Sequence, residues 1–129
     1  MNDLSNKEDV KVLVDSFYQN VRMDNLLGPI FANKIPADHW PAHLEKMYSF
    51  WNTILFSVQD YSGAPFPPHQ KLPVGKPHFD RWVALFTATL QEHFEGPVAD
   101  NAKARAELMA VLFMSKIERY QANPGQFIQ

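Results

Sequence analysis

Apolar side chains recur at helical spacing in four stretches of the chain, and no stretch sustains the two-residue alternation of a half-buried strand. In the first, Val10, Leu13, Val14, Phe17, Tyr18 and Val21 fall on one face. Ser5 and Glu8 are spaced as a capping box ahead of them, and Gly28-Pro29 bars continuation. The second carries a broad stripe of Trp40, Leu44, Met47, Tyr48, Trp51, Ile54, Leu55 and Val58. Asp38 is its expected N-cap, and Pro41 is tolerable there because it falls in the first turn. The third runs from Pro77, suited to a first helical position, through Phe79, Trp82, Val83, Phe86 and Leu90. The fourth runs from about Asp100 through Ala106, Met109, Ala110, Phe113, Ile117 and Tyr120, with Asn123-Pro124-Gly125 marking its end. The pattern predicts an all-α chain without internal repeats.

Residues 59–77, between the second and third helices, form a long connection for a small domain. Five of the ten prolines lie in it: Pro65, Pro67, Pro68, Pro73 and Pro77. Each fixes φ and restricts its predecessor, so the loop loses less entropy on ordering than its length suggests. Tyr61, Phe66, Leu72 and Val74 give it apolar anchors. The loop is expected to be ordered, and it presents one histidine, His69.

Composition narrows the chemistry. At 129 residues the chain is expected to form one domain, residues 1–129, with a genuine core. The content of 46% hydrophobic and 20% charged residues argues against disorder. A net charge of −2 with no block of like charges points away from nucleic acid and from anionic membranes. The absence of cysteine removes disulfides, thiolate metal sites and cysteine nucleophiles together. The first residues lack the basic and apolar regions of a signal peptide, and the longest apolar run, residues 108–114, is far short of the ~20 needed to span a bilayer. A cytoplasmic monomer is the expectation.

The remaining candidates are polar tips on apolar faces. His39 and His43 are four apart, a spacing that can place two imidazoles on one metal, but no third ligand is near in sequence. His43 lies three after Trp40 and four before Met47, which turns it into the apolar stripe. His78 and His93 read as solvated. Tyr18 sits beside Phe17 on the inward face of the first helix, and Trp82 on that of the third. Taken alone, each reads by default as a core residue whose polar atom finds a main-chain partner. Together with His69 they describe a polar spot inside an apolar cavity with one metal-capable ligand, an environment that suits haem. An aromatic core without any cofactor is the plain alternative.

The runs FYQNVRMDNLLGPIF (17–31), WPAHLEKMYSFW (40–51), DYSGAPFPPHQKLP (60–73) and HFDRWVALF (78–86) resemble the truncated haemoglobins, group III in particular. The match covers nearly the whole chain in order, and the lack of any Gly-Gly pair agrees with that group. The resemblance implies a shortened globin, a two-over-two α-helical sandwich enclosing haem b (iron protoporphyrin IX). It implies His69 as the proximal iron ligand. Tyr18, His43 and Trp82 match the distal residues, and Phe31 matches the phenylalanine wedged against haem. Met47, Leu72 and Phe79 are then expected to line the pocket, and Lys46 to meet a propionate. Pro41, two before His43, leaves open whether that imidazole gates the pocket or binds iron.

The implied function is binding of O2, NO and CO at a His-ligated iron, with redox or detoxification chemistry or oxygen transport as the outcome. Turnover would draw on a separate electron donor or reductase. A haem-free helical interaction module is the rival reading. A helical di-metal enzyme is set aside because no Glu-x-x-His motif occurs.

Overall fold

A computed structural model describes residues 1–123, and Pro124 and Gly125 of the expected stop signal lie outside them. Five α-helices follow in order: α1 Lys7–Met23, α2 Gly28–Lys34, α3 Trp40–Phe56, α4 Lys76–His93 and α5 Pro97–Ala122. Short 3₁₀ turns cover Ala37–His39 and Pro67–His69, and no strand occurs among the described residues. The all-α expectation holds.

The start of α1 differs from the expected capping box by one residue. Asn6, not Ser5, is the N-cap, and its side chain accepts from the Asp9 N–H at 3.0 Å. Asp9 reaches back to accept from the Ser5 N–H at 2.8 Å. Asparagine caps as well as serine does, and the shifted pair satisfies two orphan donors reciprocally. The inward face is as the spacing predicts: Val10, Leu13, Val14, Phe17, Tyr18 and Val21 are all buried.

Gly28-Pro29 ends α1 and also opens α2, a helix absent from the sequence reading. The chain turns at Asp24, whose carboxylate accepts from the N–H groups of Leu26 and Leu27 at 3.1 and 2.9 Å. A Cβ on Gly28 would meet the Arg22 carbonyl oxygen at 2.9 Å, so a side chain there would push α2 off the last turn of α1. Arg81 of α4 donates to the same carboxylate through Nε at 2.7 Å, with Nη2 in ion-pair contact at 2.6 Å, tying this corner to the opposite layer.

α3 begins at Trp40 after the 3₁₀ turn and has no side-chain cap, so Asp38 does not serve as one. Pro41 sits in the first turn, where its missing N–H costs nothing. Ser57 adopts φ 56° and stops the helix before Val58, which is exposed rather than part of the stripe. α5 starts at Pro97, ahead of the expected Asp100, because Asp3 reaches across from the N-terminal segment. Its carboxylate accepts from the N–H groups of Val98 and Ala99 at 2.8 and 2.9 Å.

The helices pack as two pairs, α1 with α3 and α4 with α5, and the pairs meet where α1 crosses α4. Three residues join α4 to α5, which forces those two into an antiparallel hairpin. One hydrophobic cluster joins the layers, with Phe17 and Phe86 at its centre, fully buried and 5.1 Å apart between rings. The arrangement is a two-over-two α-helical sandwich.

Candidate functional site

The layers close around a cavity. α1 supplies Tyr18, α2 supplies Phe31, α3 supplies His43 and Met47, the long loop supplies Pro65, His69 and Leu72, and α4 supplies Phe79 and Trp82. Of the nine residues singled out in the sequence, eight therefore line one space. Lys46 does not: it is exposed on α3, yet near enough for its charge to bear on His43. Helical periodicity explains the convergence, since positions that share a buried stripe on facing helices must share an interior.

Aromatic packing sets the wall on the α1–α3 side. The Tyr18 ring meets Phe17, Phe31, Trp40 and His43 edge-on at 5.0 to 5.9 Å. His43 packs perpendicular to Trp40 at 5.4 Å. Trp82 stacks on Phe86 at 5.6 Å and meets Phe17 edge-on at 5.5 Å, so its indole is held by two fully buried rings. Arg22 lies over the Trp40 ring at 4.4 Å and closes this wall from outside.

The polar atoms here are held ready rather than satisfied. His43 Nε2 is buried with no hydrogen-bond partner among the described residues. Neither the Tyr18 hydroxyl nor the Trp82 N–H makes a hydrogen bond among those residues. Native interiors leave few buried polar atoms unpaired, and one such atom beside two free donors that face the same cavity marks a place for a polar guest. The sequence reading allowed each a main-chain partner, and the structure provides none. Burial raises the Tyr18 hydroxyl well above its ordinary pKa, which keeps it protonated as a donor. Burial lowers His43 to about 4, helped by the charges of His69 and Lys46, so its imidazole is neutral near neutral pH.

His69 is held differently. It closes the 3₁₀ turn Pro67–His69, with its N–H on the Phe66 carbonyl at 2.7 Å. Its Nδ1 lies 2.6 Å from the Pro65 carbonyl oxygen and must carry the proton to donate there. That bond assigns the lone pair to Nε2, the atom a metal would use. Burial lowers its pKa, as does the charge of Lys34, while the Pro65 hydrogen bond opposes the shift. The long loop is thus ordered around its histidine. Tyr61 packs edge-on against Phe50 at 5.2 Å, Phe66 against Phe113 at 5.3 Å, and Val74 is buried.

Two histidines depart from expectation or stay apart. His78, read as solvated, is half-buried in the cavity wall, and its Nδ1 accepts from the Gly75 N–H at 3.1 Å. The bond pairs a helix-start histidine with the loop end, a contact that residue spacing alone does not display. His39 is exposed and points to no shared ligand with His43. The α5 contribution, Met109, Ala110, Phe113 and Ile117, was legible as an apolar stripe but not as cavity wall.

Known proteins share this architecture. Residues 2–116 match the model of the family described as bacterial-like globin. A group 3 truncated haemoglobin of Campylobacter jejuni is 32% identical over 118 residues, which is 89% of this chain and 93% of that protein. The crystal structure of a group III truncated haemoglobin from Campylobacter jejuni superposes with a TM-score of 0.82 at 31% identity. The match covers 93% of this chain and 98% of that one.

Proposed function

The chain belongs to the bacterial-like globin family, and from that premise we propose that it is a haem protein whose cavity takes up haem b, with His69 as its proximal ligand. The observation that carries the proposal is the contrast between its two cavity histidines. His69 has Nδ1 engaged by Pro65 and Nε2 left as a lone-pair donor, while His43 Nε2 is buried without a partner. This donor set fits haem and not a bare ion. No cluster of three His, Cys, Asp or Glu stands together among the described residues, whereas a metal carried in by its own macrocycle needs one axial imidazole.

Haem would supply a redox-active iron with a binding position for a diatomic gas such as O2, NO or CO. The chain's own side chains supply the rest. Phe31, Met47, Leu72 and Phe79 exclude water and grip the macrocycle through apolar contact. Lys46, which makes no ion pair among the described residues, serves a propionate carboxylate at the rim. Tyr18 O–H and Trp82 N–H are the donors for a guest that carries negative charge, and in a dry cavity such hydrogen bonds are strong. His43, neutral and against Tyr18 and Trp40, gates access to that position.

Two free donors favour retention of a polarised ligand over its quick release. Redox conversion of the gas, such as nitric-oxide dioxygenation or peroxide chemistry fed by a separate electron donor, therefore fits this cavity better than oxygen transport. The test is titration of the purified chain with haem, followed by resonance Raman spectroscopy of the ferrous form. A Soret band with an iron–imidazole vibration that vanishes in His69→Ala is the expected result. A chain that takes up no haem would leave the helical interaction module as the better reading, and a vibration that survives His69→Ala would reject the ligand assignment.

A further inference from the structure

The loop that carries His69 cannot by itself hold the imidazole in a fixed place relative to the cavity. The Nδ1 bond runs to Pro65, four residues back in the same loop, so it orients the ring within the loop only. The backbone bonds of the 3₁₀ turn are equally local: His69 N–H to Phe66, Gln70 N–H to Pro67 and Leu72 N–H to His69. Something outside must fix the loop against the rest of the fold.

α3 holds the start of the loop through Phe50 and Thr53, but the external contacts around His69 itself converge on one helix. The Phe113 ring of α5 lies 5.0 Å from the His69 imidazole at 47°. The same ring takes Phe66 edge-on at 5.3 Å and 66°. Lys116, three residues on, places Nζ over the other ring of that pair, 5.1 Å from the Phe66 centroid. Gln121 donates to the Val74 carbonyl at 3.3 Å and pins the far end of the segment. Phe113, Ile117 and Gln121 recur at four-residue spacing on one face of α5, and Phe113 and Ile117 are also cavity wall.

The geometry points to Phe113 as the positioning residue that sets the rotation of the His69 imidazole, with Phe66 and Lys116 holding Phe113's face to the loop. The inference rests on the proposed role of His69. A flat ring packed at an intermediate tilt restricts imidazole rotation more than an aliphatic chain does, because it offers a broad face instead of a few rotatable methyls. The cation over Phe66 keeps the second ring seated without occupying the cavity. A core role alone would give Phe113 an effect on stability and none on the iron–imidazole bond.

The experiment compares ferrous, haem-loaded wild type with Phe113→Leu, Phe113→Tyr, Phe66→Leu and Lys116→Gln by resonance Raman spectroscopy and thermal unfolding. Phe94→Leu, which trims a buried ring at the α4–α5 corner, controls for lost stability. We expect one iron–imidazole band in wild type, a shifted or split band in Phe113→Leu, and smaller displacements in the same sense in Phe66→Leu and Lys116→Gln. Phe113→Tyr should restore the wild-type band, and Phe94→Leu should lower the melting temperature while leaving the band in place. If Phe113→Leu does not fold, Phe66→Leu and Lys116→Gln decide. An unchanged band in the Phe113 and Phe66 variants that fold would overturn the brace while leaving His69 as ligand. A band that survives His69→Ala would remove the ligand assignment and the brace with it.

Discussion

Tyr18→Phe separates what the hydroxyl does for folding from what it does for a ligand. The substitution keeps the ring and its edge contacts with Phe17, Phe31, Trp40 and His43. It removes one O–H that has no hydrogen-bond partner among the described residues. The hydroxyl opens onto the cavity and holds no partner to lose, so the variant should be as stable as wild type or slightly more stable, by up to about 1 kcal/mol. Ligand release should respond in the opposite sense. A hydrogen bond to a charged acceptor is worth roughly 1.5–3 kcal/mol, and each ~1.4 kcal/mol is tenfold. O2 release should therefore accelerate by about 10- to 150-fold. CO carries far less negative charge when bound and should be released at nearly the wild-type rate. Stopped-flow release of both gases, beside urea unfolding of the same preparations, makes the measurement. Equal acceleration for O2 and CO would mean that the cavity had merely opened. An unchanged O2 rate would refute the role of the hydroxyl and leave Trp82 as the donor.

Three further outcomes are expected. Asp24→Ala strips three hydrogen bonds, from Leu26, Leu27 and Arg81 Nε, together with the Arg81 ion pair, and should cost about 2–3 kcal/mol by chemical denaturation. In wild type the Arg81 guanidinium, and the Leu26 and Leu27 N–H groups after it, hold that carboxyl below its ordinary 3.8. Its contribution should thus be complete above pH 3.8 and lost as the pH falls further, a loss missing from the variant. His43 gives a loss in the same direction from a different cause, burial of a neutral ring: the unfolded imidazole binds a proton near 6.5 and the folded one only near 4, so stability should fall as the pH drops through that window. In His43→Leu, unfolding titrations across the same window should show a shallower decline, and a slope equal to wild type would place the proton elsewhere. Asp3→Ala removes the cap on Val98 and Ala99 and should cost about 1 kcal/mol, with amide exchange speeding first at the start of α5.

Helical period was the most informative feature of the chain. It put Tyr18, His43 and Trp82 on inward faces before any contact was known, because a residue three or four positions from its apolar neighbours has no other direction to face. The proline density of residues 59–77 foretold a stiff loop with His69 at its centre, since fixed φ angles act before tertiary packing does. What those local rules could not display was pairing across distance. α2 is seven residues long, too short for a period to declare itself, and it exists because Asp24, Gly28 and Arg81 meet at one corner.

The same limit governs the site. A stripe of apolar residues on α5 announces an inward face, but Phe113 within it becomes a partner of His69 only because the loop folds back against that turn. Asp3 caps a helix that begins more than ninety residues later, and no spacing rule links the two. His78 read as a solvated helix start and became cavity wall once Gly75 turned its N–H onto the ring. By itself the chain determined which faces are apolar, where it stiffens and which polar tips point inward, since steric and periodic constraints act over a few residues. Which of those tips remain unpaired, and which helix steadies His69, only the tertiary structure decided, because both depend on which distant segments come to lie within bonding distance.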